Sequence, residues 1–282
     1  MNEYNLVNFI LAPSLASATR PSKYYFFQII CGGVAITLTL SLLMQYIINN
    51  LFAHIGSNAI NRLNFLQIKT WLLFAFAAIL EECSFRGFLS STQKGLQLTL
   101  TGIFFIIGNT ILSSPGFIRL GNWRGDAIYL SAVFVLAAVS FVVSLSIARR
   151  TAGLLSPLIR NNFSILLWVS SVIFALSHIS NYHDRQHTDL LYIPLILPQL
   201  SLGILLGFVR VRFGLFYSIA CHFLINSMLV SILMTKQVQS VIFSTTVFTC
   251  FIAAYFIGIL FFVKEIRVYF RTGVPKAVGH GK

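Results

Sequence analysis

The stretch that decides the fold is Trp71–Ser90, WLLFAFAAILEECSFRGFLS. Ten residues suited to the interior of a membrane helix run straight into two adjacent glutamates, Glu81 and Glu82, and an arginine follows at Arg86. Acid is scarce elsewhere: the 282-residue chain has seven Asp and Glu against twenty Lys and Arg. Two carboxylates side by side at the end of an apolar run therefore need a reason.

Outward from this stretch the composition stays apolar. Hydrophobic residues make up 57% of the chain and charged residues 10%, whereas a soluble domain carries about a quarter charged residues. The shortage is spread along the whole length, so the bilayer is the solvent for most of the chain, and residues 1–282 read as one integral membrane domain. The net charge of +13 would suggest nucleic acid in a soluble protein. Here the cations lie between apolar runs, which points to topological signalling and contact with the lipid bilayer, and not to nucleic acid. The four cysteines (Cys31, Cys83, Cys221, Cys250) form no CxxC pair and read as small apolar residues. No cleavable signal peptide, P-loop or dinucleotide fingerprint is evident.

About 20 apolar residues are needed to span roughly 30 Å of hydrocarbon as a helix. Eight runs qualify: Tyr24–Ile48, Thr70–Ser90, Leu98–Ser114, Ala127–Ala148, Asn162–Ile179, Leu190–Val209, Phe213–Met234 and Val241–Val263. The sixth contains Pro194 and Pro198 and should be kinked or broken near its start. None alternates with period two, which disfavours a membrane barrel. The expected fold is all-α and polytopic, about eight transmembrane helices around an intramembrane polar cavity. With the N-terminus in the cytoplasm, fourteen Lys and Arg fall inside and six outside. Both termini are therefore expected to be cytoplasmic, in a bacterial plasma membrane.

Ionisable groups within spans are costly and usually face the bundle interior. On a helix Glu82 and Arg86, four apart, share a face and can pair, while Glu81 is turned about 100° from Glu82. His178 ends the fifth run, four residues after Phe174 in FALSH, and His222 and Asn226 share a face in the seventh, in HFLIN. Singly, these read equally as a stabilising pair, an interfacial histidine and interhelical glue. Together, they place groups suited to proton handling and oxyanion binding on three helices. His183 and His187, in HDRQH, have the spacing of a zinc helix, but Asp184 stands where HExxH needs glutamate, and the segment reads as a polar loop.

These residues resemble a known family. EECSFRGFL looks like the EExxxR motif of CPBP intramembrane proteases, the CAAX protease and bacteriocin-processing (Abi) group; FALSH resembles its FxxxH motif, and HFLIN its HxxxN motif. The resemblance covers about Trp71–Met234 and shows no departure at the motif positions. It implies hydrolysis of a peptide bond of a membrane protein or peptide. Carried over, Glu81 is the general base, His178 helps to hold the catalytic water, and His222 and Asn226 stabilise the oxyanion. Glu82 and Arg86 orient the site. An apolar cavity makes a charged carboxylate costly, which suits a group that shuttles one proton. Zinc held by Glu81, His178 and His222, with an open fourth position, is the alternative to a glutamate acting without metal. Two other classes compete with a protease: a non-catalytic immunity or scaffold protein of the same fold, and a proton-coupled transporter. The intact set of six polar residues argues against the first, and the absence of a convincing internal repeat against the second.

Overall fold

The structure is a computed structural model that describes residues 6–11, 13, 22–51, 60, 63–112, 123–181, 194 and 196–272. Among the described residues there are nine α-helices and no strand. Each of the eight apolar runs contains a helix: α2 (Lys23–Leu51), α3 (Ile68–Arg86), α4 (Gln93–Leu112), α5 (Trp123–Asn161), α6 (Phe163–Ser177), α7 (Leu197–Phe213), α8 (Leu215–Val238) and α9 (Val241–Thr272). A short α1, Leu6–Leu11, precedes them and was not expected from the sequence. Among the described residues four segments are long and apolar enough to cross a membrane: Lys23–Ile48, Ser131–Asn161, Leu215–Val238 and Val241–Arg271. The protein is an all-α polytopic membrane protein.

The distribution of polarity agrees with a lipid solvent. Phe134, Val142, Phe256 and Leu260 are exposed, whereas Thr37, Ser140, Ser144 and Ser171 are buried. Small polar residues turned inward let membrane helices approach and hydrogen-bond.

Two compact units make up the chain, residues 1–78 with 164–282, and Ile79–Phe163. In the first, Phe26 meets Tyr217 and Tyr25 meets Phe213 edge to face, with ring centroids 5.3 and 6.0 Å apart. Farther along α2, Gly33 abuts Ile225 and Leu205. These pairs make α2 parallel to α8 and antiparallel to α7. The turn from α7 to α8 is a single residue, Gly214, at φ +97°, a backbone region that glycine enters without steric cost. The break expected near the two prolines of the sixth run is present: α7 begins only at Leu197, with Pro198 in its first turn. There the missing N–H is harmless.

In the second unit α4 and α5 run antiparallel, joined by the hydroxyls of Thr101 and Ser144 at 2.5 Å. The Ser156 hydroxyl donates to the Ser91 carbonyl at 2.8 Å and ties the far end of α5 to the turn before α4. With 39 residues α5 greatly exceeds its expected bounds. The HDRQH segment with His183 and His187 lies outside the described residues, as do Arg20, Arg62, Arg119, Arg185, Lys276 and Lys282 of the charge pattern.

Candidate active site

The EExxxR end of α3 belongs to the Ile79–Phe163 unit. The helix stops at Arg86 and a 3-10 turn, Gly87–Ser90, follows, closed by Ser91 in the left-handed region at φ 50°. Here glycine is needed for close approach: a Cβ on Gly87 would lie 2.6 Å from the Thr99 hydroxyl and 2.9 Å from the Gly95 carbonyl of α4. The Thr99 hydroxyl donates to the Cys83 carbonyl at 3.2 Å, fastening the last turn of α3 to α4.

On this fastened turn Arg86 donates to Glu82 in a buried ion pair between side chains 1% and 0% exposed. The i,i+4 pairing expected from the sequence is therefore present. The arginine also sits in the last turn of α3, where the negative end of the helix dipole favours a cation. Glu81, its neighbour, is half-buried on a different face of the helix.

The two histidines and the asparagine belong to the other unit. Helix α6 ends at Ser177, and His178 opens a 3-10 turn, His178–Asn181. Its Nδ1 lies 2.8 Å from the Phe174 carbonyl. A carbonyl only accepts, so this bond requires the proton on Nδ1 and makes Nε2 the acceptor of a neutral ring. The FxxxH spacing thus does chemical work: the backbone one turn back selects the tautomer.

His222 is 1% exposed on α8, and Ser218, one turn earlier, donates to the Leu206 carbonyl at 3.0 Å, tying this part of α8 to α7. Asn226 follows one turn later and is half-buried. Phe174, fully buried, brings the two imidazoles together. Its ring centroid is 4.7 Å from that of His178 and 5.8 Å from that of His222, both edge to face. Sequence reasoning marked Phe174 as half of a spacing and gave it no role.

Glu265 was missed altogether. It is 3% exposed, and its carboxylate accepts from the Leu6 amide of α1 at 2.7 Å and the Tyr25 hydroxyl at 3.3 Å. By hydropathy the apolar run ends at Val263, which puts an acid two residues beyond in the tail, whereas α9 continues to Thr272. The signal available was the acid itself, one of seven in the chain. Among the described residues no group of three or more His, Cys, Asp or Glu side chains is arranged to hold a metal ion.

A family model described as type II CAAX prenyl endopeptidase Rce1-like matches residues 64–228, more than half of the chain, and contains all three motifs. Searches of curated proteins and of solved structures return no significant match. With EExxxR, FxxxH and HxxxN in order inside the matched stretch, the chain belongs to the Rce1-like type II CAAX prenyl endopeptidase family.

Proposed function

We propose that this protein is an intramembrane endopeptidase that hydrolyses a peptide bond of a membrane-associated protein or peptide, of the CAAX-processing type. The family supports a CAAX-type protease in general terms. The observation that carries the residue roles is the buried Glu82–Arg86 pair. It supports Glu82 as the partner of Arg86, and in the proposed roles the proton work falls to Glu81 on a different face of the same turn.

In the proposed reaction, Glu81 takes a proton from water while the oxygen attacks the peptide carbonyl carbon. His178, with Nε2 as acceptor, holds that water from a second side. The carbonyl oxygen becomes an oxyanion, stabilised by an N–H of His222 and by the Asn226 amide, donors that act most strongly where water is scarce. Collapse of the tetrahedral species breaks the C–N bond, and the proton on Glu81 passes to the leaving amine. Glu82 and Arg86 hold the last turn of α3, and so Glu81, in place. Water is the only co-reactant.

The distribution of Lys and Arg supports an orientation with both termini in the cytoplasm, and the membrane proposed is a bacterial plasma membrane. The test uses purified protein and Glu81→Gln, each incubated with a farnesylated CAAX peptide and with a library of unmodified membrane peptides, and products identified by mass. Cleavage by the parent alone is expected. Cleavage by both removes Glu81 as the base, and cleavage by neither favours a binding role for the fold.

A further inference from the structure

Helix α5 is longer than its membrane task requires. Its 39 residues rise about 58 Å at about 1.5 Å each. The apolar run Ser131–Ala148 alone provides about 27 Å, close to the roughly 30 Å of hydrocarbon. Arg149 and Arg150 follow at once, so the last third of α5 starts at headgroup level.

At 100° per residue this last third divides into three arcs. One packs inward: Ala148 is fully buried, Ile159 is 8% exposed, and Ser156 bonds the Ser91 carbonyl. The next carries Arg149, Arg150 and Arg160, all exposed, with Gly153 between them. A Cβ on Gly153 would meet nothing within 4 Å, so no neighbouring side chain fills this position, and the exposed Pro157 one turn later bounds the shelf among the guanidinium groups. The third arc carries Leu154 and Leu158, 80% and 55% exposed. None of the three arginines forms an ion pair with a described acidic residue. Arg160 lies on the same arc about 15 Å farther along the axis than Arg150.

We propose that this end of α5 is a binding site for anionic phospholipid. Phosphodiester headgroups lie on the arginine arc over Gly153, and acyl chains run back along Val142 and Val139, 64% and 52% exposed on the membrane side of the same arc. Charge complementarity selects the partner: three cations that pair with no described acid, next to an exposed apolar strip, match a ligand that is anionic at one end and apolar at the other. Guanidinium groups bind phosphate oxygens in bidentate fashion, which favours this arc over a diffuse field. The proposed site uses none of the residues assigned to peptide hydrolysis and does not rest on that assignment.

The experiment titrates purified full-length protein in neutral detergent with phosphatidylglycerol and with phosphatidylcholine, reading retained lipid by native mass spectrometry. Each arginine near an anionic surface is worth about fivefold in affinity, so R149Q/R150Q/R160Q should lose roughly a hundredfold of phosphatidylglycerol binding. Gly153→Leu keeps every charge and favours helix, yet should weaken binding by filling the shelf. R267Q/R271Q, which removes exposed arginines from α9, should retain it. Equal retention of the two lipids, an equal loss in R267Q/R271Q, or no effect of Gly153→Leu would overturn the proposal. A change of oligomeric mass in the triple variant would overturn it too, by giving the arc to a second copy.

Discussion

Removing Glu82 should destabilise the protein far more than removing Glu82 and Arg86 together. Both side chains are essentially inaccessible, at 0% and 1% exposure. Opposite charges near 4 Å attract by about 4 kcal/mol at an effective dielectric of 20. A buried charge that loses its partner keeps its desolvation penalty and loses that attraction, which in measured cases amounts to about 3–5 kcal/mol. Glu82→Leu and Arg86→Leu should therefore each cost about 3–5 kcal/mol. The double variant Glu82→Leu/Arg86→Leu leaves no buried charge of the pair and should cost only about 1 kcal/mol, since apolar replacement of a whole buried pair is often neutral. The cycle then shows a coupling of several kcal/mol, well above the roughly 0.3–0.5 kcal/mol expected of independent sites. Reversible unfolding in mixed micelles, followed by the near-ultraviolet signal, measures all four proteins. Single variants that cost under about 1 kcal/mol each and add in the double would refute the reasoning. They would show an exposed helix pair, for which about 0.3–0.5 kcal/mol is the ordinary value.

Asn226→Ala should lower turnover by about 10²–10³ with little change in KM, the signature of a lost oxyanion donor; an equal rise in KM would make Asn226 a substrate-binding residue. Phe174→Leu should cost less than about 1.5 kcal/mol in unfolding because it keeps most of the core volume. It should nevertheless lower turnover at least tenfold by loosening both imidazoles, and full activity would show that the ring merely fills space. Activity should survive chelation with metal removal verified by elemental analysis, and restoration of a lost activity by zinc alone would replace the glutamate mechanism. Glu265→Ala should speed hydrogen exchange across Leu6–Leu11, whose first amide bonds that carboxylate at 2.7 Å. Exchange as slow as in the parent would mean that packing alone holds α1.

What was legible in the sequence follows helix periodicity. The eight runs, the Glu82–Arg86 pair, the His222–Asn226 spacing and the break at Pro194 and Pro198 all depend on residues within four positions of one another. There the 3.6-residue repeat fixes who shares a face. The ends of α5 and α9 were not legible in this way. Hydropathy falls where the charges begin, at Arg149 and Lys264, but the backbone has no reason to stop there. Arginine, lysine and glutamate are good helix formers, and α9 continues eight residues past Lys264, to Thr272. Hydropathy marks where lipid ends, and helix propensity marks where the helix ends. The buried acid Glu265 and the arginine shelf of α5 both lie in the gap between the two.

The part played by Phe174 was illegible for a different reason. FxxxH fixes how Phe174 stands toward His178, and the tautomer follows from one carbonyl. That the same ring also meets His222, 48 residues later in the chain and on another helix, depends on how α6 and α8 pack. No spacing within either motif contains that contact. The two motif histidines therefore pack edge to face against one apolar ring. A substitution there should disturb two motifs at once while leaving every ionisable residue in place. Catalytic loss without loss of any chemical group is the expected mark of an aromatic clamp. It separates Phe174 from Glu81, whose replacement should remove the chemistry and leave the packing intact.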